Sequence, residues 1–165
     1  MSRLEGRAWK FGANVDTDAI VPGKYLIGDL SDIASHVMEG TRPGFADLVA
    51  PGDIIVAGRN FGSGSSREMA PRAIQAAGIQ AVVAESFARI FFRNCINVGL
   101  TPVECPDAGE IEEGQTVRVD VERGEVTVAE TGAVYAAVAL PDEVGAILRA
   151  GGMEPFLRSQ LGESR

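Results

Sequence analysis

The pattern of apolar and polar positions changes midway along the chain and predicts a mixed α/β domain. In the first half, compact β-branched runs are followed by segments with helical spacing, which is typical of parallel strands joined by helices. The predicted strands are 6–11, 53–57, 80–84 and 100–103, and the predicted helices are 32–39, 66–78 and 86–94. Gly78 suits a left-handed cap at the end of the second of these helices.

After residue 107 the pattern becomes a strict alternation, which favours antiparallel strands with one buried face. The predicted strands are 116–121, 125–129 and 134–140, with Arg123-Gly124 as a hairpin signal, and the predicted helices are 142–149 and 154–160. We find no internal repeat and no linker long enough to divide the protein. We therefore expect one domain over residues 1–165.

Composition excludes several classes of function. The chain has 165 residues, of which 45% are hydrophobic, enough to bury a core without disulfide or metal staples. Its net charge of -8 opposes binding to nucleic acid phosphates and to anionic lipid surfaces. The N-terminus has no apolar signal-peptide core, and no apolar stretch approaches the roughly 18 residues needed to cross a bilayer. We expect a cytoplasmic protein that binds neither nucleic acid nor a membrane.

Metal-ligating residue types are scarce. Cys95 and Cys105 are the two cysteines, and a reducing compartment favours two free, inert thiols over a disulfide. An iron–sulfur cluster generally takes three or four thiolates, so this chain has too few to hold one. His36, the one histidine, has no second ligand at a suitable spacing and is interpreted as a structural residue. We predict no metal site.

The glycine-rich segment 58–68 carries the clearest chemical signal. Gly62 and Gly64 allow positive φ and a close approach of the main chain to a ligand, and the start of the following helix offers unpaired amides. Arg67 adds a fork of donors that suits a small di- or tricarboxylate as well as a phosphate. The segment matches neither the P-loop nor the dinucleotide fingerprint.

The serines of this segment have two interpretations. Ser65 and Glu68 form a capping-box pattern, in which Ser65 caps the helix at a contribution of about 1 kcal/mol. Pro71 conflicts with a regular first turn, because it removes a helical donor six residues after that cap. A serine at an irregular, amide-rich helix start is also a place where a deprotonated hydroxyl is stabilised without a histidine.

Four motifs give the chain a resemblance to a known family. They are 14–22 (NVDTDAIVP) together with 24–26 (KYL), 62–68 (GSGSSRE), 84–91 (AESFARIF) and 94–100 (NCINVGL). Together and in this order they resemble the small subunits of 3-isopropylmalate dehydratase and homoaconitase, in the aconitase superfamily. The resemblance covers residues 6–105 strongly and the remainder by the length and order of elements.

This resemblance implies a fold, a partner and a reaction. The fold would be the β/β/α swivelling domain of aconitase, whose mixed sheet curls toward a barrel with flanking helices. A separate large subunit, in a heterodimer or heterotetramer, would carry the [4Fe–4S] cluster. The reaction would be reversible dehydration and rehydration of a hydroxy-dicarboxylate, in leucine biosynthesis for the isopropylmalate enzymes. Whether the isolated chain forms homo-oligomers stays open.

The family motifs also imply site residues. The first serine of Ser-Ser-Arg is the family's catalytic base, which assigns that role to Ser65. Ser66 and Arg67 would bind a substrate carboxylate, and Asp18 would line the site from the other loop. Glu68 and Arg89 also match family motifs, but structural pairing explains them equally well, and we leave both out of the site.

The segment Tyr25-Leu26-Ile27-Gly28 resembles the family's substrate-selecting loop. Homoaconitase-like members carry arginine at the third position, where Ile27 favours an apolar substituent such as isopropyl. Gly28 leaves room for smaller acids, so citramalate and dimethylmalate stay open, as does homoaconitate. A packing role for Leu26 and Ile27 under the loop is the structural alternative. A different class, a stand-alone dicarboxylate-binding module, would bind its ligand tightly without any partner.

Overall fold

The structure, a computed structural model, describes residues 3–162, which form one mixed sheet of seven strands surrounded by helices. The strands are β1 (Arg3–Lys10), β2 (Ile54–Ala57), β3 (Ala81–Ala84), β4 (Thr101–Glu104), β5 (Thr116–Asp120), β6 (Glu125–Val128) and β7 (Val134–Ala136). The helices are α1 (Thr17–Ile20), α2 (Leu30–Ala34), α3 (Phe45–Leu48), α4 (Met69–Ala76), α5 (Arg89–Val98), α6 (Asp142–Ala150) and α7 (Met153–Gln160). Short 3-10 turns cover Gly23–Tyr25 and Ala108–Glu110.

The sheet divides into a parallel and an antiparallel half, as the sequence predicts. Its strand order is β4-β3-β2-β1-β5-β6-β7. Strands β1 to β4 pair in parallel, whereas β1 pairs with β5, β5 with β6 and β6 with β7 antiparallel. Strand β1 joins the two halves, because its last residues pair with β2 and its first residues pair with β5.

The sheet curls toward a barrel. Alternate residues of β2 point to opposite faces, so Ile55 packs with the helices α1 to α5 while Ile54 packs with valines of β5 and β6. The backbone N–H of Val138, just after β7, donates to the carbonyl of Glu104 at the end of β4, over 2.9 Å. The two outer edges of the sheet therefore meet, and the expected barrel-like α/β fold is confirmed.

Three predicted helices begin or end elsewhere, and one of them, predicted at 66–78, is observed as α4 (Met69–Ala76). The predicted helix 32–39 is observed as α2 followed by turns, because the N–H of Met38 donates to the carbonyl of Ile20 (2.7 Å) and Met38 adopts φ 59°. The predicted helix 86–94 begins later, at Arg89, because Phe87 is held in a bridge with Phe61. Ile90, predicted on the buried face of that helix, is 52% exposed.

The third antiparallel strand is shorter than predicted. It ends at Ala136 instead of continuing to residue 140, since the next amides find acceptors outside β6. The helices predicted at 142–149 and 154–160 are confirmed as α6 and α7. Gly78 has φ 116° just after α4, as expected for its cap. Within residues 3–162, no helix combines the length and the apolar character that crossing a membrane requires.

Asp53 is a buried acceptor that ties β1 to the start of β2. Its side chain is 7% exposed, and its Oδ2 accepts hydrogen bonds from Trp9 Nε1 (2.8 Å) and from the backbone N–H of Ala50 (2.9 Å). The half-exposed guanidinium of Arg7 lies 3.5 Å from the same oxygen. One carboxylate oxygen therefore satisfies a buried indole N–H and closes the turn before β2.

Replacing Asp53 with alanine is expected to lower the free energy of unfolding by about 1 to 3 kcal/mol, because the Trp9 indole N–H is left buried without an acceptor. Asp53→Asn is the matched control, since its amide oxygen can still accept both hydrogen bonds, and its loss should stay below about 1 kcal/mol. Urea denaturation followed by tryptophan fluorescence measures both. An equal loss in the two variants would assign the effect to the charge next to Arg7 instead.

Candidate active site

The glycine-rich segment leaves the carboxyl end of β2 and runs beside the polar segment that follows β1. Asp16 and Ser63 form a parallel bridge, and the N–H of Thr17 donates to the carbonyl of Ser63 over 2.8 Å. The N–H of Gly62 donates to the carbonyl of Val15 (2.7 Å). Two motifs that lie about 48 residues apart in the chain are thus side by side.

Two glycines allow this close approach. Gly62 is buried at φ 87°, and an added Cβ would overlap the ring of Phe91. Gly64 has φ 104°, and an added Cβ would lie 3.2 Å from Thr17 Oγ1. Within the described chain, the backbone N–H groups of residues 64–67 donate to no protein acceptor. They form a run of free amides suited to an anion, as the sequence predicts.

Ser65 lies in this segment, and its hydroxyl is paired with that of Thr17. Ser65 is exposed, whereas Thr17 is 3% exposed, and their oxygens are 3.1 Å apart. The capping-box interpretation is wrong, because α4 begins at Met69 and its N-cap, Glu68, makes no side-chain capping bond. Pro71 occupies the third helical position, where an amide has no intrahelical acceptor, so its missing N–H costs no helical bond.

Ser66 and Arg67 follow in irregular backbone. The carbonyl of Ser66 accepts from Asn94 Nδ2 over 3.5 Å, and the Ser66 side chain is exposed. Arg67 NH1 donates to the carbonyl of Val21 (3.0 Å) and lies 3.9 Å from Asp18 Oδ1. Asp18 also accepts from the N–H of Gly23 (3.2 Å). The structure therefore brings Asp18 and Arg67 together from the two loops.

The three predicted substrate-selecting residues differ in burial and in the contacts that they make. The Tyr25 ring stacks on His36, with centroids 3.9 Å apart and planes 6° apart. Leu26 is partly buried against the helical side of the core, which agrees with the packing alternative for this residue. Ile27 is 81% exposed, so that alternative is wrong for it.

An open cavity of about 570 Å³ lies between α1 and this loop. It is lined by Asp16, Asp18, Ala19, Pro22, Lys24, Tyr25, Glu39 and Gly40. Asp16 is engaged as the N-cap of α1, accepting from the Ala19 N–H over 2.8 Å. Lys24 is the cation in this lining. The cavity has room for a small acid beside Tyr25 and Lys24, but its lining sets three carboxyl groups, of Asp16, Asp18 and Glu39, against one ammonium, so its charge does not by itself favour an anion.

The thiols and the histidine lie outside this chemistry. Cys95 and Cys105 are free and buried, as predicted, and burial raises the pKa of each thiol above its usual value. Both stay protonated at neutral pH and are poor ligands or nucleophiles. His36 is partly buried, and its Nδ1 lies 3.9 Å from Glu39. Between residues 3 and 162, no group of three His, Cys, Asp or Glu side chains is arranged to hold a metal ion.

Sequence reasoning missed two residues here, Thr17 and Lys24. Both stand inside motifs quoted for the family resemblance, but a linear sequence gives no sign that the Thr17 hydroxyl meets Ser65 or that Lys24 lines a cavity. The sequence showed only that Thr17 precedes Asp18 in a polar motif; its burial, which requires a partner for the hydroxyl, is known from the structure alone. Glu68, which sequence reasoning left out, pairs with Arg72 across one helical turn at 3.8 Å.

Comparison with known proteins places this geometry in a family. The model of the aconitase C-terminal domain matches residues 30–108. The isopropylmalate/citramalate isomerase small subunit of Methanocaldococcus jannaschii is 50% identical, over 99% of each chain. The 3-isopropylmalate dehydratase small subunit of Aquifex aeolicus is 52% identical, over 96% of each chain. A crystal structure of 3-isopropylmalate dehydratase from M. jannaschii superposes with a TM-score of 0.91 at 45% identity, covering 97% of this chain and 96% of the other.

Proposed function

The chain belongs to the 3-isopropylmalate dehydratase small-subunit family of the aconitase superfamily, and on that premise we propose that it provides the proton-transfer base for isomerising 2-isopropylmalate to 3-isopropylmalate. It is a lyase subunit of leucine biosynthesis and works with a large subunit. About 50% identity over nearly the whole chain supports this assignment. The roles proposed for Ser65 and its neighbours are supported by one observation: the Ser65 hydroxyl is exposed in a segment, residues 64–67, whose four backbone N–H groups have no acceptor within the described chain.

In the proposed reaction, Ser65 Oγ takes a proton from the substrate carbon next to the one that bears the hydroxyl. After the alkene intermediate has formed, hydroxide adds to the carbon that lost the proton and Ser65 returns the proton to the other carbon, which relocates the hydroxyl. Arg67 and the Ser66 hydroxyl bind a substrate carboxylate, with the amides of residues 64–67 as further donors. Asp18 orients the Arg67 guanidinium, since the two lie 3.9 Å apart.

Departure of the substrate hydroxyl requires a Lewis acid, which we assign to a [4Fe–4S] cluster on the large subunit. The residues of this chain do not fit such a cluster, because its two cysteines are buried and stay protonated. The contribution of this chain is therefore confined to carboxylate binding and proton transfer. We place the complex in the cytoplasm, where reducing conditions preserve free thiols.

Ile27 supports isopropylmalate as the preferred substrate. Its side chain is 81% exposed in the isolated chain, so it is free to cover an apolar group of the substrate. Citramalate is the second candidate, because the M. jannaschii relative is named an isopropylmalate/citramalate isomerase subunit and because Gly28 adds room beside Ile27. Homoaconitate is disfavoured, because its distal carboxylate would face the apolar side chain of Ile27 where homoaconitase-like members carry an arginine.

Reconstitution tests this function. The purified chain alone should be colourless and inactive, and addition of a large subunit with an intact cluster should give conversion of 2-isopropylmalate to 3-isopropylmalate. The assay follows the alkene intermediate by ultraviolet absorbance and the product by chromatography. Tight binding of a dicarboxylate by the chain alone, with no turnover after reconstitution, would favour the stand-alone binding module. Stoichiometric iron in the isolated chain would contradict the division of roles between the subunits.

Replacing Ile27 with arginine should change substrate selectivity. We expect kcat/KM for 2-isopropylmalate to fall, because a guanidinium replaces an apolar contact, and kcat/KM for homoaconitate to rise, because the guanidinium can pair with its distal carboxylate. Each change should correspond to about 1 to 3 kcal/mol in activation free energy. Stability should hardly change at so exposed a position. The measurement is kcat/KM on isopropylmalate, citramalate, dimethylmalate and homoaconitate with one large subunit.

Val134→Arg is the control for that experiment, since Val134 is an exposed apolar residue (57%) on β7, away from the loop. It should leave the ratios among the four acids unchanged. If Ile27→Arg leaves the same ratios unchanged, Ile27 does not read the substrate, and the preference for isopropylmalate loses its support from this residue.

A further inference from the structure

The hydroxyl pair of Thr17 and Ser65 joins a fixed residue to an exposed one. Thr17 is the first residue of α1, its N–H donates to Ser63 (2.8 Å), and its carbonyl accepts from Val21 (2.9 Å). Its side chain is buried, and Gly64 packs against its Oγ1. The Thr17 hydroxyl therefore has a defined position, and the Ser65 hydroxyl lies 3.1 Å from it at the surface of the site.

We propose that Thr17 is a positioning residue that holds Ser65 for proton transfer and stabilises its deprotonated form by donating a hydrogen bond. The proposal rests on the role of Ser65 as the base. Either hydroxyl can donate while Ser65 is protonated, but an alkoxide carries no proton, so Thr17 must then be the donor. A hydrogen bond to the charged form favours that form and lowers the pKa of the hydroxyl.

The proton balance assigns no transfer to Thr17. The substrate C–H bond breaks, the proton bonds to Ser65 Oγ, and the C–H electron pair becomes the second bond of the alkene while the C–O bond breaks and hydroxide leaves. The large subunit's cluster would supply the Lewis acidity for that departure. In rehydration, hydroxide bonds to the carbon that lost the proton, and the alkene electron pair takes the proton from Ser65 Oγ at the carbon that had carried the hydroxyl. Thr17 keeps its own proton throughout and only redirects it, as donor to the alkoxide and as donor or acceptor to the hydroxyl.

Other groups near Ser65 are engaged elsewhere. The guanidinium of Arg67 donates to the Val21 carbonyl and lies near Asp18. Asp16 accepts the Ala19 N–H as the cap of α1. Within the described chain, Thr17 is thus the side chain that a hydrogen bond joins to Ser65. Its burial also excludes water from one side of the serine oxygen, which strengthens that bond.

Kinetics of Thr17→Val give the first test. Valine has nearly the shape of threonine, and the hydroxyl it removes was paired with an exposed serine, so folding should be preserved. In the reconstituted enzyme kcat should fall roughly 10- to 100-fold with little change in KM, because ground-state carboxylate binding is untouched. Thr17→Ser should restore most of kcat. Thr101→Val is the control, because Thr101 is also a buried threonine but is the first residue of β4, outside the site. It should keep wild-type turnover.

A second measurement is independent of turnover. In the full chain carrying Ser65→Cys, the pH dependence of iodoacetamide labelling at position 65, located by mass spectrometry, reports the pKa of the introduced thiol. Adding Thr17→Val should raise the midpoint by roughly 0.5 to 1 pH unit, which is about three- to tenfold slower labelling at neutral pH. Adding Thr17→Ser should leave it in place. Any labelling of the buried thiols of Cys95 and Cys105 is counted separately, because mass spectrometry locates the labelled residue.

The outcomes separate the two proposals. An unchanged labelling midpoint with Thr17→Val overturns the role of Thr17, whatever the kinetics show. A midpoint that rises with Thr17→Val and stays at its original value with Thr17→Ser supports that role. If the wild-type complex does not convert 2-isopropylmalate, or if Ser65→Ala keeps full turnover, the proposed function of Ser65 is overturned. The hydrogen bond between Thr17 and Ser65 would then have no role in catalysis.

Discussion

Replacing Ser65 with alanine is expected to reduce turnover of the reconstituted enzyme at least about 1,000-fold while the subunit still folds and assembles. The variant removes the oxygen that accepts the substrate proton. Thr17, the hydroxyl paired with Ser65, is buried and therefore cannot reach the substrate to replace it. Stability should change by less than about 1 kcal/mol, because Ser65 is exposed and caps no helix. The measurements are kcat with 2-isopropylmalate and the midpoint of thermal unfolding.

Ser31→Ala is the matched control, because Ser31 is another exposed serine, on α2 outside the site. It should retain wild-type kcat. Binding of 2-isopropylmalate by the Ser65→Ala complex should survive, since Arg67 and the free amides remain, and calorimetry can show this. A stable Ser65→Ala complex with wild-type kcat would remove Ser65 from the mechanism and leave the anion-binding loop without a base.

Replacing Gly62 with alanine is expected to cost about 3 to 5 kcal/mol of stability. The added Cβ would overlap the Phe91 ring, which belongs to an aromatic cluster with Phe61 and Phe87, and a rigid ring in a packed core has little room to move. The positive φ of 87° adds strain of about 1 to 2 kcal/mol for any side chain. Chemical denaturation and expression of soluble protein measure the loss.

Two further glycines separate strain from overlap. Gly114 has φ 90° with nothing within 4 Å of an added Cβ, so Gly114→Ala should cost only the strain, about 1 to 2 kcal/mol. Gly64→Ala should be similar in stability, yet it should lower kcat, because its Cβ would lie 3.2 Å from Thr17 Oγ1 and crowd the hydroxyl pair. If Gly62→Ala were no less stable than Gly114→Ala, the packing of Phe91 would not be what requires glycine there.

Much of the fold was predictable from local pattern. Continuous β-branched runs identified β2 and β3 as fully buried strands, and alternation identified the hairpin of β5 and β6, because burial on two faces or one face leaves a direct mark on the sequence. Gly78 marked the end of α4, since few residues other than glycine adopt positive φ. The motif around Ser65 and Arg67 likewise contains two glycines, Gly62 and Gly64, that adopt positive φ in the segment proposed to bind an anion.

Tertiary contacts decided what local propensity could not. Ser65 and Glu68 form a good capping pattern, yet the segment pairs with the loop after β1, and α4 starts only at Met69. Likewise, Phe87 has helical neighbours but pairs with Phe61 in an extended bridge. In both places a hydrogen bond to a distant segment replaced a local helical one, and the sequence does not record which distant partner is available.

The candidate site shows the same division. The sequence by itself determined that an amide-rich loop, a serine pair and an arginine stand together, because these residues are neighbours in the chain. Only the tertiary structure joined Asp18 to Arg67 and Thr17 to Ser65, across 49 and 48 positions, and exposed Ile27 while stacking Tyr25 on His36. The physical reason is that these contacts depend on parallel pairing of two loops after β1 and β2, and sheet pairing is set by the whole core rather than by either loop.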